Sequence, residues 1–317
     1  VSATDQAVSR AVAGPIDVPG EVVPGPVAVD AVGQPSLTRL PGLRARKAGS
    51  GRTWTLWAGV GLLGLLVLVA IALPSFLPDP IDQDIPNALS GPTGAHWLGT
   101  DHLGRDVLSR LLHSARLDLL VGVTAVIAPF VIGTFLGLVA GYAGGIVSTV
   151  IMRLADVMMA FPYYVLVIAL VFVIGPGLGG IYAAVAIVVW SSYARIIHGE
   201  VLAVTQSDYV RAARAGGLGH ARVMFRHVLP NSISQSIVYS TSDVVIIILG
   251  VVTLSFLGLG VTPPTPEWGA MISDARPFVQ THPLLLVAPG IAVMLTGLAF
   301  SLIGDGLATK LRVGGGS

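Results

Sequence analysis

Residues 207–231 read SDYVRAARAGGLGHARVMFRHVLPN, a polar, arginine-bearing stretch held between two long apolar runs. Thr205 and Asp208 have the T-x-x-D spacing of a capping box, which predicts a helix over 209–215. Gly216 and Gly217 end that helix, because glycine enters the left-handed region at little cost. A second helical piece is expected over 220–229, with Arg222 and Arg226 on one face and Met224, Phe225, Val228 and Leu229 on another. Pro230 then opens the next apolar run, where its missing N–H is not needed. A bent amphipathic element of this kind has two uses. It rests among lipid headgroups with its arginines on phosphates, or it enters a groove of a soluble protein, where Ala212, Ala213 and Gly217 let backbones approach closely.

The rest of the chain explains what that stretch is attached to. Hydrophobic residues make up 53% of the 317 and charged residues only 11%, with mean hydropathy +0.81, so this is an integral membrane protein and not a soluble domain. Six apolar runs, near 54–77, 117–140, 154–174, 181–198, 232–257 and 284–304, each approach the ~20 residues a hydrocarbon core demands. Their lack of strict alternation makes them helices and not barrel strands. With a cytoplasmic N-terminus, all but Arg105, Arg110, Arg116 and Arg276 of the 18 Lys and Arg residues fall on the cytoplasmic side. That places both termini and the 203–230 loop in the cytoplasm, and the 78–116 segment outside. A net charge of +1 gives no reason to expect a nucleic-acid partner, and the absence of cysteine excludes disulfides and thiolate metal sites.

Residues 1–50, rich in Pro, Gly, Val and Ala without periodicity, read as a disordered cytoplasmic tail. The apolar run after them starts too late and runs too long for a signal peptide. Residues 306–317 read as a cytoplasmic C-terminus, with GGGS at 314–317 resembling an appended linker.

Ionisable residues inside spans are functional candidates by default. Asp156 follows Arg153 by three residues, a spacing that suits either an ion pair on one helix face or a place at a gate. Asp243 lies deeper in its span and is a candidate for lining a cavity or for a buried hydrogen bond. Pro162 should kink the third span. Gly133, Gly137, Gly141 and Gly145 repeat every four residues and permit tight helix crossing. Outside the membrane, Asp79, Asp82, Asp84, His96, His102 and His113 lack ligand spacing, so no metal site is expected. Gly104, Arg105 and Asp106 set up a short helix over 106–115. Pro263, Pro264, Pro266 and Trp268 either brace an external loop or touch an external protein.

The wording of the loop is itself recognisable. Ala212-Ala213, then Gly217, then Leu229-Pro230 resemble the "EAA" loop of permease subunits in binding-protein-dependent ABC importers, with Arg211 at the glutamate position and His227 where isoleucine is usual. YVRAARAGGLG and FRHVLPN are similar to the dipeptide and oligopeptide branch, and to its C-type subunit in particular. The resemblance runs from about Trp97 to Leu311. It takes in HWLGTDHLGRDVLSRLLHSAR (96–116), RLADVMMAFP (153–162), WSSYARIIHGEVL (190–202), LSFLGLGVTPPTPEWG (254–269) and GDGL (304–307).

This resemblance implies an all-α integral membrane protein with the type I ABC importer permease fold. Five spans over 117–305 would form the transport core, and the first span would be peripheral. Thr205, Asp208, Tyr209, Arg211, Ala212, Ala213, Gly216, Gly217, Leu218, Arg222 and Phe225 would form a cytoplasmic coupling helix and its exit. Implied partners are a homologous B-type permease, two ATPase subunits or one fused ATPase, and an extracytoplasmic peptide-binding protein, all at a bacterial cell membrane. ATP and Mg would be bound by the ATPase, since no G-x-x-x-x-G-K-[ST] occurs in this chain. Asp156, Pro162 and Asp243 would serve the pathway or gate; Pro263, Pro264 and Trp268 would meet the binding protein. The substrate implied is a di- or oligopeptide, with nickel chelates or glutathione as alternatives. Readings from other classes are an ion-coupled secondary transporter using Asp156 or Asp243 as proton relay, and a scaffold that docks ATPases and moves nothing.

Overall fold

The computed structural model describes residues 53–314. The expected tail over 1–50 and the last three residues of the expected linker lie outside the described residues. Five helical stretches are long and apolar enough to cross a membrane, or six if a bent pair is one span.

The chain enters with α1 (Thr53–Ala72), tightened at its end into a 3-10 turn over Leu73–Phe76. An irregular segment follows and is organised around Asp101. Its carboxylate accepts from Leu103 N, Arg105 N and Arg105 Nε at 2.8, 3.0 and 2.7 Å, and also from the Arg110 guanidinium. Burial alone would raise the pKa of Asp101, but Arg110, the Leu103 N–H and Arg105 outweigh burial and hold it below its ordinary value.

Asp106 caps α2 (Val107–Ala125), accepting from Ser109 N at 2.6 Å. α2 does not stop at 115 as a separate short helix. It runs on, through a turn at Val126, into α3 (Ile127–Ala143), so Val107–Ala143 is one 37-residue apolar stretch. The only proline inside it, Pro129, falls in the first turn of α3, where a missing N–H is tolerated.

The expected third span is broken outright. α4 (Gly145–Ala160) and α5 (Tyr163–Ile174) meet at 93°. Pro162 cannot donate a helix hydrogen bond and pushes its predecessor out of the helical region, so both Phe161 (ψ 143°) and Pro162 (ψ 126°) are extended. Two consecutive extended residues redirect the chain further than a proline kink would.

α6 (Leu178–Thr205) is the central helix and packs most extensively on α3. The reason is the glycine stripe. A Cβ at Gly133 would sit 2.3 Å from Trp190 O, one at Gly137 2.4 Å from Ala194 O, and one at Gly141 2.7 Å from a Val201 methyl. Gly145 does not belong to the stripe: it starts α4 at φ +53° with open space around it.

After the loop come α7 (Asp208–Ala215), α8 (His220–Val223), a π-turn over Met224–Val228, α9 (Leu229–Ser232) and α10 (Ser234–Phe256). The short helix α11 (Trp268–Ala275) and the closing helix α12 (Leu284–Gly314) complete the described residues. Tyr193 and Ile181 of α6 and Ile247, Ile248, Val251 and Leu254 of α10 are buried together in the core. α1 packs on α12 and α2 and stays largely exposed.

Candidate functional site

α6 runs through to Thr205, whose hydroxyl donates back to Leu202 O at 3.0 Å. Thr205 therefore belongs to α6 and caps nothing. Ser207, in extended conformation, is the N-cap of α7, and Asp208 is its first residue, against the positive end of the helix dipole. The capping-box expectation fails because a box needs its first residue outside the helix. At the far end only Gly217 takes positive φ (+81°), while Gly216 stays at −72°. Gly217 N bonds Arg214 O at 3.0 Å and Leu218 N bonds Ala213 O at 3.3 Å, closing the helix C-terminus.

The expected helix over 220–229 is present but not regular. Leu229 N reaches back to Met224 O, a five-residue step that forms where Pro230 has no N–H to continue the ordinary pattern.

Three valines lock this element to the bundle. Val210, Val223 and Val228 are fully buried with Leu138 of α3 and with Ile197 and Val201 of α6, and Ala213, Leu218 and Met224 pack around them. Arg214 lies 4.7 Å over the Tyr142 ring, and the Tyr142 hydroxyl meets His220 Nδ1 at 3.1 Å. The face turned away carries Asp208, Tyr209, Arg211, Ala212, Gly216, Gly217, Arg222 and Phe225, all exposed. The result is a rigid strap, fixed to α3 and α6, that presents small, basic and aromatic groups outward.

A second feature lies at the α4–α5 break. A cleft of 380 Å³ is lined by Met158, Met159, Phe161, Tyr163, Ser192, Tyr239 and Asp243, among others. Asp243 is 2% exposed and accepts from the Tyr193 hydroxyl at 2.9 Å. Pro162 shapes the cleft by making the break between Phe161 and Tyr163. Asp156 does not line it. Its carboxylate is held by the Arg195 guanidinium of α6, and Arg153 stands 4.0 Å away, so the expected pair within one helix is secondary.

On the opposite face Pro263 and Pro264 are exposed, whereas Trp268 is 1% exposed and turned into the bundle. Trp268 Nε1 donates to Leu111 O at 3.1 Å and its backbone N donates to Asp118 Oδ2 at 3.0 Å. Of the three residues expected to face an external protein, Trp268 therefore braces the fold. Glu267 beside it is buried and caps α11 by accepting from Gly269 N and Ala270 N at 2.7 and 2.8 Å.

Sequence reading had no hold on several of these residues. Val210 and Val223 look like any other apolar positions in the strap; Val228 was placed on an apolar face together with Phe225, but Val228 is buried and Phe225 is exposed. Arg195 and the tyrosines facing Asp243 come from helices far apart in sequence. Only the position of Asp118 in an apolar run offered a signal.

This bundle of broken and unbroken spans, with a strap at one end, is the fold of an ABC-transporter permease. It aligns with a solved structure titled "Crystal structure of an amino acid ABC transporter with histidines" at TM-score 0.50 and 16% identity, over 64% of this chain and 94% of that one. Residues 133–313 match the family described as binding-protein-dependent transport system inner membrane component, and the chain belongs to that family. Among similar proteins are the dipeptide transport system permease protein DppC of Alkalihalophilus pseudofirmus (40% identical, covering 80% of this chain and 84% of that protein) and the glutathione transport system permease protein GsiD of Pectobacterium atrosepticum (42%, covering 78% and 84%). The nickel transport system permease protein NikC of Escherichia coli K12 is 40% identical over 81% of this chain and 94% of its own length. The chain is thus a multi-pass inner-membrane permease of an ABC importer, a class that works with an ATPase and a binding protein.

Proposed function

We propose that this permease imports di- or oligopeptides, forming half of the translocation pathway beside a homologous B-type permease. The observation that carries the coupling part of this reading is the strap. Its outward face carries small, basic and aromatic residues with one acid, Asp208, and its inward valines are fixed to the ends of α3 and α6, so a partner that grips it moves two core helices as a unit. The partner is a pair of ATPase subunits, or one fused ATPase, on the cytoplasmic side with both chain termini. Asp208, Tyr209, Arg211, Ala212, Gly216, Gly217, Arg222 and Phe225 form this docking face, with Thr205, Ala213 and Leu218 holding it to the bundle from behind. Asp243 and Pro162 shape the pathway, Asp156 ties α4 to α6 at its edge, and Pro263 and Pro264 meet the peptide-binding protein outside. The chain itself hydrolyses nothing; ATP and Mg belong to the partners.

The peptide assignment rests on the dipeptide relative and on the loop wording YVRAARAGGLG. The glutathione and nickel relatives, at 42% and 40% identity against 40% for the dipeptide relative, define the competing substrates. ATP-dependent uptake of labelled di- and tripeptides, glutathione and nickel, in a deletion strain and its complemented form, tests the proposal. Restored peptide uptake supports it; restored uptake of nickel alone overturns the peptide assignment and keeps the permease. Uptake that survives a Walker-motif mutation in the partner ATPase would sink the coupling reading.

A further inference from the structure

We infer that the cleft at the α4–α5 break recognises the ammonium group of the transported substrate, with Asp243 as its counter-charge. This deepens the peptide reading and rests on it for the identity of the substrate, but not for the charge of the site.

Asp243 sits near the middle of a 23-residue apolar helix, the part of a span where a carboxylate is costly to keep and marks a functional pathway. Among the described residues no cation pairs with it. Its hydrogen bond comes from the Tyr193 hydroxyl at 2.9 Å, and Arg195, two residues along α6 from Tyr193, is engaged by Asp156. Asp243 lines a cleft of 380 Å³, within the size range of small-molecule sites. Tyr163 and Tyr239 line the same cleft, and the Tyr193 ring stacks edge-on against Tyr239 at 5.1 Å.

A single negative charge among tyrosine rings is the chemistry that binds an organic ammonium: the carboxylate supplies the charge, and the ring faces add cation–π attraction. A bare divalent metal would want several carboxylates or imidazoles, and the cleft offers one carboxylate with methionine and phenylalanine around it. The α-amino terminus of a peptide and the free amine of glutathione share the required chemistry.

The chain has no cysteine, so a single thiol can be placed in the cleft. With Ser192→Cys in the assembled transporter in membranes, this subunit is labelled with a trimethylammonium or a sulfonate methanethiosulfonate. Each rate is normalised to reaction with a free thiol. The cationic reagent should be favoured by roughly tenfold or more, and Asp243→Asn in the same background should erase that preference. Equal normalised rates with Asp243 intact overturn the proposal.

Uptake supplies the second arm. Asn keeps an oxygen for the Tyr193 hydroxyl but loses the charge, so Asp243→Asn should lower uptake of labelled Ala-Ala by roughly ten- to a hundredfold, and Asp243→Glu should recover part of it. Wild-type uptake by Asp243→Asn, or equal loss in both variants, overturns it. Glutathione uptake in the same strains distinguishes the two amine sources. A wild-type transporter that imports neither compound defeats the peptide reading, while the labelling rates still decide the counter-charge.

Discussion

Arg195 on α6 holds Asp156 on α4, while Arg153, one turn back from Asp156 on its own helix, stands 4.0 Å away and 80% exposed. The tie crosses between two packed helices that also share the Ser148 Oγ–His198 Nε2 hydrogen bond at 2.9 Å. Arg153→Ala should change stability by no more than about 0.5 kcal/mol. Arg195→Ala should cost more than Arg153→Ala, yet no more than about 1 kcal/mol for the pair itself, because both partners are half exposed. Thermal unfolding of the solubilised protein measures this, with the exchange Asp156→Arg/Arg195→Asp expected to recover the loss. Equal effects from the two arginines would refute the assignment.

The strap separates stability from docking. Val210→Ala empties part of a fully buried contact and should cost roughly 1–3 kcal/mol. Ala212→Trp adds bulk on the exposed face, so the fold should hold within about 0.5 kcal/mol while ATPase subunits no longer co-purify and uptake stops. Gly217→Trp should behave similarly, with an added cost of roughly 1–2 kcal/mol from the positive φ. Normal uptake by Ala212→Trp would show that this face is not the docking surface.

The glycines make a sharper contrast. A side chain at Gly137 would drive into the backbone carbonyl of Ala194, so Gly137→Val should fail to accumulate in the membrane. Gly145→Ala meets open space and carries only the strain of its φ of +53°, about 1 kcal/mol. Membrane levels by immunoblot decide between them; indistinguishable levels would contradict the packing of α3 on α6.

Glu267 gives the molecule a pH dependence of definite sign. Burial raises its pKa above the ordinary value, and hydrogen bonds from Gly269 N and Ser255 bring it only partly back. A carboxyl group with a raised folded-state pKa contributes stability that is fully present below its unfolded value and is lost as pH rises through the folded one. Thermal stability should therefore decline across the window between those two values. Glu267→Gln should flatten that slope while weakening the α11 cap. A variant that keeps the wild-type slope would place the titration elsewhere.

The apolar runs, the strap, the turn at Gly217 and a bend near Pro162 were legible in the sequence for one physical reason, although the sequence suggested a kink within one span where the structure has a 93° break between two helices. Each is a local property: transfer of a run of side chains out of water, a proline without its N–H, a glycine free to take positive φ. The short helix over 106–115 was misplaced because nothing local between Val107 and Ala143 stops a helix, and the capping box because Thr205 lay within reach of α6. The sequence by itself therefore determined the membrane class, the positions of the apolar runs and the family wording of the loop. Only the tertiary structure decided that Asp156 binds Arg195, that Trp268 turns inward beside Asp118, and that Asp243 faces a tyrosine-lined cleft. Those pairings depend on which faces of distant helices meet. The close approach of Gly133, Gly137 and Gly141 to α6 is one such meeting, and no neighbour along the chain specifies it.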